Sequence, residues 1–475
     1  MKKLNLFVMS LLATAAFTFN SCSSDDTLAP SGGETFYVTV KALGSMHIGT
    51  RTSQENVTTE NGTTAESNIT NGTIYIYDGT TLIFKKNIGG SDWATAPTQT
   101  EAGVTKPIKV SVKRVDPGKT YNVYFLANAQ LDDPLTTDLG FATSSTGGAN
   151  YANDNLFVMF NENDKTKKAD HSTVTFEEAN KNEATPAVAS EISLDRVVAR
   201  VDAPTVIATK IEKTEATTTE NYEDLLEGVT YTSYAVSNLN NNSYVVQNWN
   251  TAEWTLKALI TGDKPYYKPY DEYGTKYEAK GLTNFTTNEA TAKNYMFENT
   301  TNDINNATAL YFCIKADLKE SAKTNADFAD GTFYRYDNRV YTSIKDLMED
   351  DHVSHPFGES ATAANVLAQI KGADGKLIEE GATLAKFRED YKIEIYRAGM
   401  MYYRYAINDN YYTRTDYYSV LRNSIYDLKV NAIYDLGKDV PNGPTPPELD
   451  ANYYMNVTIA INPWVLNTKD IQLGN

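Results

Sequence analysis

Short stretches in which every second residue is apolar recur from one end of this chain to the other. In Phe36-Tyr37-Val38-Thr39-Val40-Lys41-Ala42-Leu43, the residues Phe36, Val38, Val40 and Ala42 fall on one face. In Tyr453–Ile461, the residues Met455, Val457, Ile459 and Ile461 do the same. A period of two marks a strand with one face in a core and the other turned outward. The same reading places strands at 72–77, 82–84, 107–112, 120–127, 156–160 and 172–176. It places others at 231–236, 244–247, 311–316, 391–396, 400–406 and 424–433. Residues 191–202 alternate in two frames, Leu194, Val197 and Ala199 in one and Ile192, Val198 and Val201 in the other, which predicts a bulge. Only 343–350 and 361–370 read as helices, and the 33 tyrosines with abundant Thr and Val agree with β-structure. No βαβ rhythm appears. The expected fold is all-β: two β-sandwich domains in tandem, over residues 35–210 and 211–475, with a few short helices.

The first residues read as an address. Lys2 and Lys3 precede an apolar run from Leu6 to Phe19, and polar Asn20-Ser21-Cys22 follows. The run is too short to span a bilayer comfortably, which predicts a secretory signal over 1–21. Cys22 then stands where a lipoprotein carries its acyl chains, with a flexible tether over 22–34. The other cysteine, Cys313, sits in an apolar run and reads as a buried strand residue, so no disulfide framework is expected. With 43 basic and 61 acidic residues the formal charge is −18, which argues against nucleic acid and against electrostatic binding to an anionic membrane.

Catalytic signatures are missing. There is no Gly-rich phosphate loop and no G-x-S-x-G elbow. His352 and His355 have a spacing that would suit a metal on a helix, but Ser354 and Pro356 indicate a loop. Asp132-Asp133 and Glu379-Glu380 read as surface charge. Tyr266, Tyr267 and Tyr270 have the chemistry to stack on sugar rings. No catalytic, cofactor-binding or metal-ligating residue is predicted, and the chain is not expected to be an enzyme.

The two ends carry the most information. The polar stretch 44–71 contains Gly49-Thr50-Arg51-Thr52, and Arg51 is the only Arg or Lys between residues 44 and 84. Loss of the first strand, 36–43, would take a row of side chains from a core and expose an edge for another chain. The final strand of a neighbour has matching spacing and would fill it. Such a head-to-tail contact propagates as a filament instead of closing as a dimer.

Two segments carry a resemblance. Tyr418-Ser419-Val420-Leu421-Arg422-Asn423-Ser424-Ile425-Tyr426-Asp427-Leu428, followed by Leu436-Gly437, a Pro-rich spacer and Asn462-Pro463-Trp464, resembles the major fimbrial subunits (fimbrilins, type V pilins) of Bacteroidales, in the short-fimbriae branch. Leu194-Asp195-Arg196-Val197-Val198-Ala199-Arg200-Val201 resembles the end of that family's N-terminal domain. The resemblance implies two transthyretin-like β-sandwich domains, a lipid on Cys22, and cleavage of the Arg51–Thr52 bond by an Arg-specific protease. Residues of about 450–475 would then be the inserting segment, with Met455, Val457, Ile459, Ile461 and Trp464 in its strand. Implied partners are further copies of the subunit, accessory tip and anchor subunits, the protease, host or bacterial surface receptors, and the outer membrane through the precursor's lipid. Phe19 in the signal and Thr52 after the cut depart from the family pattern. The competing readings are a surface glycan-binding lipoprotein or a fimbrial tip adhesin and, in another class, a metal-dependent hydrolase resting on His352.

Overall fold

The computed structural model describes residues 34–465 except position 41 and the stretches 45–59, 62–65, 67–68, 90–107, 136–137, 141–156, 162–171, 191, 216, 240–241, 247–248, 251–254, 257–285, 288–292, 302, 410–417 and 442–454. Its strands begin with β1 (Thr35–Val40), β2 (Ala42–Gly44), β3 (Glu60–Asn61), β4 (Gly72–Asp78), β5 (Thr81–Ile88) and β6 (Ile108–Lys113). Next come β7 (Thr120–Ala127), β8 (Asp138–Gly140), β9 (Met159–Asn161), β10 (Ser172–Thr175), β11 (Ala187–Val188) and β12 (Ile192–Arg196). The second half starts with β13 (Ala199–Asp202), β14 (Thr205–Val206), β15 (Leu226–Ser237), β16 (Asn242–Tyr244), β17 (Trp249–Asn250) and β18 (Thr255–Leu256). It continues through β19 (Thr286–Thr287), β20 (Lys293–Met296), β21 (Asn299–Thr301), β22 (Ala309–Leu318), β23 (Phe333–Tyr336) and β24 (Arg339–Tyr341). The last are β25 (Glu394–Tyr396), β26 (Met400–Ala406), β27 (Tyr418–Val420), β28 (Ser424–Ile433) and β29 (Met455–Val465). The short helices are α1 (Tyr222–Leu225), α2 (Glu320–Lys323), α3 (Ile344–Glu349), α4 (Ala363–Leu367) and α5 (Ala382–Tyr391). The fold is all-β, as the alternation predicts.

Two sheets make the first half. The smaller has the order β11-β1-β6; the larger runs β2-β12-β9-β7-β4-β5, with β10 beside β7. One apolar cluster joins them and includes Phe36, Val38, Val40, Val110, Val112 and Phe125. In β4 the tyrosines are buried as well as the isoleucines. That is possible because each ring hides apolar area while its hydroxyl finds a partner. Tyr75 donates to the Leu131 carbonyl at 2.7 Å and Tyr77 to Asp133 at 2.5 Å. Burial pushes the Tyr75 phenol up to about 12.

The second half repeats the plan with sheets β20-β13-β28-β29-β3 and β19-β15-β22-β26. Its core includes Val201, Tyr234, Phe312, Leu428, Val430 and Met455. The change of frame at 191–202 proves not to be a bulge. β12 ends in the first half's sheet, Val197 and Val198 bend, and β13 starts in the second half's sheet. Both frames are apolar because the chain serves two cores in succession.

Between β22 and β26 a third lobe is inserted. It holds the small sheet β24-β23-β25 with α3, α4 and α5 around Phe328, Tyr334, Ile344, Leu347, Ile370 and Phe387. Ser343 and Thr362 cap α3 and α4 by accepting from the Asp346 and Asn365 amides. Helix α5 is absent from the sequence reading. Its signal was thin: Leu384, Phe387 and Tyr391 fall at helical spacing in an otherwise polar stretch, and Lys392 closes it in the left-handed region at φ 56°. The strand read at 231–236 starts earlier, at Leu226, and the one read at 244–247 lies at Asn242–Tyr244.

Cys313 lies in β22 with no exposed surface, and burial pushes its thiol up to about 11. Alkylation of the native protein at neutral pH is therefore expected to be about a hundred-fold or more slower than after unfolding, as followed by mass spectrometry. Equal rates in both states would contradict this placement.

Candidate assembly site

Strand β1 is held on both sides. It runs antiparallel to β6 from Thr35 opposite Lys113 to Val40 opposite Ile108. On its other side β11 lies parallel, with Ala187 beside Val38 and Val188 beside Thr39. The Ala189 amide donates to the Thr39 carbonyl at 3.0 Å. Phe36, Val38 and Val40 are at most 1% exposed. The Phe36 ring packs edge-on against Phe176 at 5.8 Å, and the Lys181 ammonium sits 5.4 Å from its centroid. The chain then changes sheets: β2 pairs parallel with β12, Ala42 beside Ile192 and Gly44 beside Leu194. Removal of this segment would thus leave a slot walled by β6 and β11.

The tail strand β29 has one long partner. It runs antiparallel to β28 from Met455 opposite Ile433 to Pro463 opposite Ser424, with a register shift between Val430 and Ala432. Val457, Ile459 and Ile461 stand in register with Val430, Leu428 and Tyr426, and Met455 is buried in the second core. At its far end Trp464 and Val465 lie parallel to Glu60 and Asn61 of β3. The predicted lipidation and cleavage residues Cys22, Arg51 and Thr52 fall outside the described residues, as do Lys41, Tyr266, Tyr267 and Tyr270.

Between the two cores lies a cluster of buried charge. Arg196 Nε donates to the Glu66 carbonyl at 2.8 Å, and Arg196 Nη1 to the Asn423 side chain at 3.2 Å. Asn423 in turn donates to Asp195 at 2.6 Å. The Glu66 carboxylate, 2% exposed, accepts from Arg200 at 3.1 Å, Lys293 at 3.2 Å and the Tyr295 hydroxyl at 2.6 Å. Burial, and then that hydrogen bond to Glu66, hold the Tyr295 phenol well above its usual range. Arg422 meets Glu298 at 2.8 Å and the Val245 carbonyl at 2.7 Å. The structure therefore brings together the two segments that carried the resemblance, Asp195-Arg196 and Arg422-Asn423. Glu66 went unnoticed in the sequence because its stretch, 44–71, is mostly polar; its partners come from residues 130 or more positions away.

His352 lies on the surface of the third lobe, 2.8 Å from Asp350 and 3.1 Å from Asp351. Asp350 is already engaged by the His352 amide, Tyr341 and Arg339, which hold its carboxyl well below the usual range. His355 stacks on Phe357 instead of joining this group.

Two family profiles match the chain. Residues 37–196 match the major fimbrial subunit protein (FimA), and residues 394–470 match the major fimbrial subunit protein type IV, fimbrillin, C-terminal. The chain belongs to the major fimbrial subunits. It is a structural subunit of a cell-surface fimbria and not an enzyme, and it associates with other fimbrial subunits. The matches cover β1 from Tyr37 onward, the neighbouring β6 and β11, and the whole of β29. Among solved structures, a putative cell adhesion protein from Parabacteroides distasonis is 13% identical, covers 92% of this chain and 99% of its own, and has a TM-score of 0.42. A fimbrilin from Porphyromonas gingivalis is 15% identical, with coverages of 92% and 99% and a TM-score of 0.41. A comparison with curated protein sequences finds no match.

Removing one partner of a buried ion pair leaves its mate uncompensated. In this fimbrial subunit, Glu66→Ala is expected to cost about 3 kcal/mol, read as a fall in the urea midpoint. A loss under about 0.5 kcal/mol, the level of a surface substitution, would show that the cluster is not a structural joint.

Proposed function

We propose that this subunit polymerises by strand exchange and builds the stalk of the fimbria. In this reading the precursor is carried to the outer membrane as a lipoprotein on Cys22. An Arg-specific protease then cuts the Arg51–Thr52 bond, and β1 and β2 leave with the lipid. The first unit, which ends with β12, becomes the acceptor; the second, from β13 onward, donates β29 to the next copy.

The observation that carries this reading is the setting of β1. It supplies three fully buried side chains, worth about 1.5–3 kcal/mol each, and its backbone is paired on both sides. A strand lost from there leaves unpaired N–H and C=O groups on both walls of the slot, which only another strand satisfies. Met455, Val457, Ile459 and Ile461 offer the same spacing as Phe36, Val38, Val40 and Ala42. The slot offers a strand the pairing that β1 has, a ladder along β6 and a short parallel one along β11. Donor and acceptor are different surfaces, so each added copy presents a fresh slot and growth does not close. A tip subunit has no need of a donor strand, so the long ladder between β28 and β29 favours the stalk. The adhesive contacts with host or bacterial receptors would then be spread along the filament or carried by accessory subunits.

Purified full-length chain treated with an Arg-specific protease is expected to begin at Thr52 and to give a ladder of high-mass species on unheated gels. Deletion of residues 450–475 should abolish the ladder, and Arg51→Ala should leave a lipidated monomer. Cleaved chains that begin at Thr52 yet stay monomeric would overturn the proposal.

A further inference from the structure

We infer that β3 is a latch that holds the tail strand on its own subunit until the chain is cut at Arg51. The inference rests on the donor-strand reading above and adds a control to it. Strand β29 is an edge strand over most of its length; among the described residues, its outer side is covered only at Trp464 and Val465, by Glu60 and Asn61. That is the end at which a strand would begin to peel. The opposite end is held at Met455, which is buried in the second core and paired with Ile433, and the chain that leaves β28 is bound to that core. Tyr402 and Lys438 exchange two backbone hydrogen bonds of 2.8 Å, and Asp439 accepts from Arg388 and from the Ile395 amide. A clip on Trp464–Val465 therefore sits where it governs release.

The clip is tethered on both sides. Upstream the chain is tied down at β2, where Gly44 pairs with Leu194. Downstream it is tied at Glu66 by Arg196, Arg200, Lys293 and Tyr295. Arg51 lies between Gly44 and Glu60. While the bond is intact, closing the chain between these two anchors confines Glu60 and Asn61 near the tail, so a ladder of two residues suffices. After the cut one tether is gone, and the same ladder must be formed by a segment with a free end. A contact this short has no reserve against that loss of confinement. A single proteolytic event thus both empties the acceptor and frees the donor, and an uncut subunit is kept from offering its tail early.

Hydrogen exchange on peptides covering 455–465 tests the latch directly. In the full chain these amides should exchange about three- to ten-fold faster just after cleavage, before any ladder forms on unheated gels, and about as fast in uncut Asn61→Pro as in the freshly cut protein. Equal exchange in uncut, cut and Asn61→Pro chains would overturn the latch. A second variant carries Glu60→Cys and Trp464→Cys, whose backbones are in register at a strand spacing of about 4.8 Å that a disulfide spans. Oxidised and then cut, it should give no ladder on unheated gels, and reductant should restore one; a ladder from the fully cross-linked chain would again overturn the latch. Deletion of 450–475 separates the two failures. If the ladder survives that deletion, the donor-strand reading falls and the latch with it. If the ladder is lost while exchange is unchanged by cutting, the latch alone falls.

Discussion

Arg196, Arg200 and Arg422 are buried to within 2% of their surface, and this fact organises the molecule. A guanidinium in a protein interior is costly unless its charge and its N–H groups are met. Here they are met by Glu66, Asp202 and Glu298, by the Glu66 and Val245 carbonyls, and by Asn423. Those partners come from both halves of the chain. The two sandwiches cannot shift against each other without uncovering a charge, and Val245, Phe297 and Ile425 of the second half reinforce the joint by packing into the first core. Arginine suits the task because its planar fork bonds to several acceptors at once.

The third lobe is bound to the second core by the same kind of chemistry. Arg335 reaches Glu394, Thr218 and Asp435, and Arg388 reaches Asp439 and Glu380. Tyr396 donates to the Gly437 carbonyl at 2.9 Å. Asp435, Gly437 and Asp439 are the residues through which the chain leaves β28 for the tail. The insertion therefore does more than enlarge the surface: it holds the chain just beyond β28 against the second core.

Against these fixed parts, the end strands stand out by how they are held. β1 contributes a full row to one core yet is joined to the rest of its sandwich through a polar stretch with a single basic residue. β29 runs beside β28 near the outer side of its sheet, with β3 beyond it. Strands make good exchangeable parts because their main-chain bonds are the same whatever the sequence, while alternate side chains supply the selectivity. The burial that stabilises β1 in the precursor is the burial that a neighbour's strand would recover.

Much of the fold could be read from residues alone. Alternation located β1 and β28, because a strand with one buried face shows a period of two, while apolar runs located β4 and β22, which are buried on both faces. Cys313 was legible from the apolar run of β22. Other features were not. The two frames at 191–202 suggested a bulge, and only the packing of two cores revealed a change of sheet at Val197–Val198. Helix α5 was lost because its few apolar residues face the lobe and the rest face water. Glu66 looked like one more acidic residue in a polar stretch; its role depends on Arg196, Arg200, Lys293 and Tyr295 converging from distant positions. The sequence by itself determined which segments are strands and which side of each is buried, since both follow from local spacing. Which strands neighbour one another, whether β1 lies at an edge or in a slot, and where β3 meets the tail were decided by tertiary structure, because backbone pairing is blind to sequence and is settled only when the side-chain rows close into cores.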